Sequence, residues 1–138
     1  MRFADTNLLL YAASTAPDER SKARIARELL EADDLALSVQ VLQEFYVQAT
    51  RPSRSERMSH EQATALIEAF CRFPVQETTL PLVRAALDTR ERFGISYWDA
   101  AILEAARSLG CAIVLSEDLA DGQDYGGVTV QNPFTSVS

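Results

Sequence analysis

With 138 residues and 47% hydrophobic composition, the chain can bury one sizeable core but is short for two, so a single domain spanning residues 1–138 is expected. No apolar run approaches the roughly 18 residues that cross a bilayer, and the N-terminus lacks the sections of a secretory signal, which predicts a cytoplasmic protein without a membrane anchor. A formal net charge of −7 argues against holding nucleic acid by broad electrostatic attraction, and the single histidine, His60, excludes zinc sites built on several histidines.

In chain order, Arg2-Phe3-Ala4 reads as a short strand, and Asp5-Thr6-Asn7 before Leu8 to Tyr11 reads as a cap and a short helix. Asp18 to Ala32 has Ala23, Ile25, Ala26, Leu29 and Leu30 at mostly helical spacing, with Asp18 and Glu19 favourably placed at its positive end. Leu35 to Ser38 suits a buried strand, and residues 39 to 50 carry Val41, Leu42, Phe45, Tyr46 and Ala49 on one side of a helix, with Glu44 beside that stripe. Between Arg51 and Ser59 lies a polar connection containing Arg51, Arg54 and Arg57.

Ser59 and Gln62 match a capping box for a helix running to about Arg72, followed by a short strand over Pro74 to Glu77. Thr79 to Phe93 is predicted helical, with Pro81 tolerated in the first turn and Gly94 as the stop. Ser96 opens another helix that ends at Gly110, and Cys111 to Leu115 is apolar throughout, as a central parallel strand covered on both faces would be. Gly126 to Val130 is the last predicted strand, followed by Asn132-Pro133 and a polar tail. Strands alternating with longer helices predict an α/β sandwich around a parallel sheet. Cys71 and Cys111 read as reduced core thiols, and Trp98 as a core residue.

Ligands of open parallel sheets gather beyond the carboxyl ends of the strands. Asp5 directly follows the first strand, and Asp118 follows the strand ending at Leu115. If those strands are neighbours, the two carboxylates share a crevice. Asp99 sits at the start of the helix that feeds the Leu115 strand, and Glu44 borders an apolar face. Taken singly, Asp5 and Asp99 have an ordinary explanation as helix-capping residues and Glu44 as a solvated one. Together they resemble a cluster of carboxylates, which repel one another unless a cation is present. Oxygen-only ligands favour Mg²⁺, with Mn²⁺ as a substitute, over zinc. Such an ion also reconciles an acidic protein with a phosphodiester, with Arg51, Arg54 and Arg57 as the local candidates to hold RNA backbone.

These residues resemble the PIN-domain family, and within it the VapC-like ribonuclease toxins of type II toxin-antitoxin modules. The resemblance is carried by Phe3-Ala4-Asp5-Thr6-Asn7 with Leu8 to Tyr11, Val41-Leu42-Gln43-Glu44-Phe45, Ser96-Tyr97-Trp98-Asp99-Ala100-Ala101-Ile102 and Val114-Leu115-Ser116-Glu117-Asp118-Leu119. Tyr125-Gly126-Gly127-Val128 and Asn132-Pro133-Phe134 extend it toward the C-terminus.

The resemblance implies a three-layer sandwich with a short parallel sheet between helices. It further implies that Asp5, Glu44, Asp99 and Asp118 hold one or two Mg²⁺ ions and catalyse hydrolysis of single-stranded RNA, leaving a 5′-phosphate and a 3′-hydroxyl. Asp5 and Asp99 rank first as ligands, Glu44 next, and Asp118 last because Glu117 and Asp121 stand beside it. Asn7 and Ser116 match positions that support the carboxylates by hydrogen bonding. The expected partners are the RNA substrate, a VapB-like antitoxin that places an arginine among the acids, and a second copy of the chain in a homodimer.

Two alternatives remain within that resemblance: an RNA-processing PIN nuclease without a toxin role, and a PIN-like scaffold that binds RNA or protein without cutting. A phosphoacceptor receiver domain is disfavoured because it needs a lysine after a late strand, whereas the sole lysine, Lys22, lies in the first long helix.

Overall fold

A computed structural model describes residues 1–135; the last part of the polar tail, 136–138, lies outside the described residues. Strand β1 (Arg2–Ala4) leads into α1 (Thr6–Ala13), and a 3-10 turn at Pro17–Glu19 into α2 (Arg20–Glu31). Then come β2 (Leu35–Ser38), α3 (Val39–Ala49), α4 (His60–Phe70), β3 (Val75–Gln76), α5 (Leu80–Phe93), α6 (Tyr97–Ser108), β4 (Ile113–Leu115) and β5 (Thr129–Gln131). The strands form one sheet in the order β3-β2-β1-β4-β5, every neighbouring pair parallel. It is the expected α/β sandwich, a parallel sheet flanked by helices.

Strand β1 occupies the centre because Phe3 and Ala4 are fully buried and can accept neighbours on both sides. Its register sets Phe3 opposite Ala36 of β2 and Val114 of β4, while Ala4 lies opposite Leu115. The two strands that the site needs as neighbours are therefore hydrogen-bonded to each other, and Asp5 N–H donates to the Leu115 carbonyl at 3.0 Å. On the edge toward β2, Arg2 grips Asp34 through Nε and Nη2 at 2.7 and 2.9 Å.

The core joins the strands to Leu8 and Leu9 of α1, Val41 and Phe45 of α3 and the Ala100 to Ala106 stretch of α6. Phe45 meets Phe70 edge-on with centroids 5.2 Å apart. Helix α5 packs along α6, which lies against β2, β3 and β4, while α1 packs on α2 and α3. Gly94 ends α5 at φ +66°, a left-handed turn that a side chain would strain, and its N–H returns to the Arg90 carbonyl at 2.8 Å.

Several expectations need correction. Residues 17–19 form a 3-10 turn, with Pro17 at its first position, and the α-helix opens only at Arg20. The last strand is Thr129–Gln131, because Gly126 and Gly127, at φ +66° and +97°, turn the chain before it. Both cysteines are free thiols, but only Cys111 is buried; helix α4 ends at Phe70, and Phe70 and Phe73 take the inward positions that leave Cys71 outside. Trp98 is not a core residue: the buried face of helix α6 starts at Ala100, and the indole two residues earlier is 64% exposed. Among the described residues, no helix is long and apolar enough to cross a membrane.

Candidate active site

Asp5 stands where β1 becomes α1. Its backbone is extended, its Oδ1 accepts from Thr6 N–H at 2.7 Å, and its Oδ2 accepts from the Ser116 hydroxyl at 2.8 Å. Ser116 is itself fully buried at the end of β4 and also accepts the backbone N–H groups of Asp118 and Leu119 at 3.1 and 3.3 Å. One hydroxyl thus fixes both the first carboxylate and the turn that carries the fourth. Burial is the main force on Asp5: it pushes the carboxyl up to about 6, against the lowering effect of the Ser116 and Thr6 bonds, and the charges of Glu44 and Asp118 push the same way as burial.

Glu44 projects from α3 toward that corner. The Thr6 hydroxyl donates to its Oε2 at 2.9 Å, and the Gln40 side-chain amide, one helical turn earlier, donates to its Oε1 at 2.7 Å. The same Gln40 nitrogen lies 3.2 Å from the Trp98 carbonyl. That amide bridges α3 to the first turn of α6, where Asp99 sits half-buried with its backbone N–H capped by Ser96 at 3.0 Å. Asp118 is exposed, and its Oδ2 accepts from the Asn7 amide at 3.1 Å, while Asn7 Oδ1 accepts from Glu117 N–H at 3.4 Å.

The structure therefore places Glu44 and Asp118 within electrostatic reach of Asp5, with Ser116 supporting Asp5 and Asn7 supporting Asp118. Gln40 ties α3 to the residue before Asp99, but among the described residues no side chain links the Asp99 carboxylate to the other three. Glu117, a competitor of Asp118 in the sequence, is engaged elsewhere: Lys22 Nζ donates to it at 2.6 Å and the Tyr11 hydroxyl at 2.5 Å. Burial raises the Glu117 carboxyl, but the Lys22 and Tyr11 bonds outweigh burial and leave it below its ordinary value. Asp121 accepts from Asn132 N–H at 2.8 Å.

The three arginines of the 51–59 connection diverge. Arg51 lines a cleft that Glu44 and Trp98 also line. Arg54 and Arg57 line a different cavity, between the end of α1 and α4, and Arg57 Nε is tied to the Thr50 carbonyl at 3.0 Å. Thr6 and Gln40, the two residues that hold Glu44, were not singled out by the sequence reading. Gln40 had a signal available, since its amide sits four residues before Glu44 on the same helix and therefore faces it.

Asp5, Glu44 and Asp118 give this corner its chemical character, and Asp99 stands on the neighbouring turn of α6. Among the described residues the ion pairs are Arg2–Asp34, Lys22–Glu117 and Arg107–Glu104, and none includes Asp5, Glu44, Asp99 or Asp118. No three acids there stand at the spacing of a preformed metal cage. The donor set nevertheless fits a hard divalent cation: it is oxygen-only, mutually repulsive, and includes a buried carboxyl whose charge is penalised unless a cation is near.

The PIN domain family model matches residues 2–120. No curated protein matches the chain in sequence. Among solved structures, VapC20 of Mycobacterium tuberculosis, a sarcin-ricin loop cleaving toxin, is similar at 20% identity and TM-score 0.66, over 86% of this chain and 90% of that one. A toxin-antitoxin complex from Klebsiella pneumoniae is similar at 21% identity and TM-score 0.67, over 96% of this chain and 98% of that one. VapBC2 from Rickettsia felis, bound to a DNA fragment from its promoter, is similar at 18% identity and TM-score 0.64, over 95% and 97%. Because the family model covers most of its length, the chain belongs to the PIN-domain family.

Proposed function

We propose that this protein is a divalent-metal-dependent endoribonuclease that cuts single-stranded RNA and serves as the toxin of a toxin-antitoxin pair. The observation that carries this reading is the corner where Asp5 and Asp118 follow the carboxyl ends of β1 and β4 and Glu44 reaches Asp5 from α3, with no ion pair to any of them among the described residues. Family membership and the likeness to VapC structures support it. Mg²⁺, with Mn²⁺ as a substitute, would be held by Asp5, Asp99, Glu44 and Asp118. Once bound, the ion supplies positive charge that neutralises the phosphate and makes water a stronger acid.

The chain's own residues do the positioning. Ser116 and Thr6 N–H hold Asp5 in one rotamer, and Thr6 and Gln40 each occupy one oxygen of Glu44. Asn7 holds Asp118 by Oδ2 alone, leaving Oδ1 without a partner among the described residues. Asp118 Oδ1 is thus left to face the ion or the attacking water, whose proton Asp118 or Glu44 would take. Arg51 supplies the positive charge for flanking RNA backbone.

The same acidic corner suits an antitoxin that inserts an arginine between the carboxylates, since a guanidinium pairs with them bidentately and excludes both metal and RNA. A homodimer belongs to the same reading. The test is incubation with unpaired RNA in Mg²⁺ or EDTA, followed by mapping of the ends. Cutting that needs Mg²⁺ and leaves 5′-phosphates supports the reading; cutting unaffected by EDTA, or none in Mg²⁺ and Mn²⁺, overturns it.

A further inference from the structure

Trp98 is the residue whose placement the acid corner alone leaves unexplained. A tryptophan next to an aspartate beside the acid corner would ordinarily serve packing, yet this indole is 64% exposed, and it meets the Tyr97 ring in a T-shaped pair, centroids 5.1 Å apart at 79°. It forms one wall of a cleft of about 510 Å³. The opposite wall is helix α3, which contributes Glu44, the exposed Val47 and the amides of Gln43 and Gln48, while Arg51 stands at the end.

The cleft and the acid corner are continuous, because Glu44 belongs to both. Their spacing is fixed by Gln40, whose amide touches Glu44 Oε1 and the Trp98 carbonyl together. A flat aromatic wall, an apolar side chain, two amides and one guanidinium, all beside a carboxylate that handles phosphate, match the parts of a single nucleotide. The indole offers a π-face, the amides offer donors and acceptors to a base edge, and the guanidinium meets a phosphate.

We propose that Trp98 and the cleft it shares with Val47 and Arg51 form a stacking subsite for one unpaired nucleobase beside the scissile phosphate. The subsite rests on the ribonuclease reading above and deepens it: it makes unpaired RNA the required form, because a base inside a duplex cannot leave its stack to face the indole. It also resolves the charge problem in a specific way. A protein of net charge −7 has little to gain from phosphate contacts, so stacking, which is insensitive to charge, carries much of the grip.

Trp98 is the only tryptophan, so tryptophan fluorescence reports on this cleft alone. The experiment is a titration of the wild-type protein in EDTA with a short unpaired oligoribonucleotide, and with the same oligomer made abasic at each position in turn. It is paired with RNA cleavage kinetics of Trp98→Ala and Trp98→Phe in Mg²⁺. Quenching by the intact oligomer that is lost at one abasic position is expected, with a KM raised roughly 5- to 100-fold in Trp98→Ala, little change in kcat, and most of the loss recovered in Trp98→Phe. Wild-type cleavage without quenching, together with an unchanged KM in Trp98→Ala, overturns the subsite while the nuclease reading stands. Absence of cleavage in the wild type overturns that reading and the subsite with it. A Trp98→Ala protein that changes oligomeric state in sedimentation while its KM per protomer is unchanged also overturns the subsite, and assigns the face to a second copy of the chain.

Discussion

Ser116 Oγ donates to Asp5 Oδ2 at 2.8 Å across the β1–β4 pair, and the same oxygen receives the N–H groups of Asp118 and Leu119. A buried hydroxyl with three partners cannot be removed without leaving polar groups unsatisfied. Ser116→Ala should destabilise the fold by roughly 1–3 kcal/mol in chemical denaturation. It should also weaken Mg²⁺ binding by about 10- to 100-fold in a calorimetric titration, because Asp5 loses its orientation. Wild-type affinity in the variant would remove Ser116 from the support of the site.

The raised Asp5 carboxyl gives stability a definite pH dependence. Its folded value of about 6 lies above its ordinary 3.8, so between these two pH values the folded state binds more protons than the unfolded one. Stability of the metal-free protein then falls as pH rises through that window, and the full penalty, about 3 kcal/mol from the size of the shift, is in place above it. Asp5→Asn should therefore raise the melting temperature in EDTA at pH 7.5, with the gain shrinking toward pH 4. Added Mg²⁺ should stabilise the wild type and not the variant. A gain independent of pH would mean that Asp5 carries no such penalty.

Glu44 is held from two elements, by Thr6 of α1 and Gln40 of α3. Thr6→Val and Glu44→Ala should show a coupling in a double-mutant cycle of activity, on the order of 1 kcal/mol, since either change alone removes the same bond. Additive losses would show that the Thr6 bond is irrelevant to Glu44.

Glu117 and Asp118 are adjacent in sequence but differently engaged, the first with Lys22 and Tyr11 and the second with Asn7. Glu117→Gln should keep cleavage near the wild-type rate and cost at most about 1 kcal/mol of stability, as expected of a partly exposed ion pair. Asp118→Asn should cut the rate strongly. Equal losses in the two variants would contradict the division of labour.

Much of the frame was readable from residue patterns, because three strands lead into a residue that caps the next helix: Asp5 after β1, Ser38 at the end of β2, Thr79 shortly after β3. Local chemistry of that kind is written in consecutive residues. The parallel pairing of β1 with β4 was posed only as a condition, since strand adjacency depends on contacts more than a hundred residues apart, as in the Asp5–Ser116 bond. Exposure was the less legible property. Trp98 and Cys71 have apolar character and sit near the ends of helices, where one residue of rotation or an early stop decides between core and surface. Gln40 was overlooked for the converse reason: a polar residue on an inward helix face looks like an irregularity until its two acceptors are seen.

The central claim is that Asp5 and Asp99 act in one metal-dependent site despite lying on different elements. Single-turnover RNA cleavage in Mg²⁺ by Asp5→Asn and Asp99→Asn, beside the wild type with and without EDTA, tests it most directly. The account predicts that either substitution and EDTA each lower the rate by a factor on the order of 100 or more, as loss of a positioned electrostatic group in a catalytic site does. Undiminished cutting by both variants would contradict it.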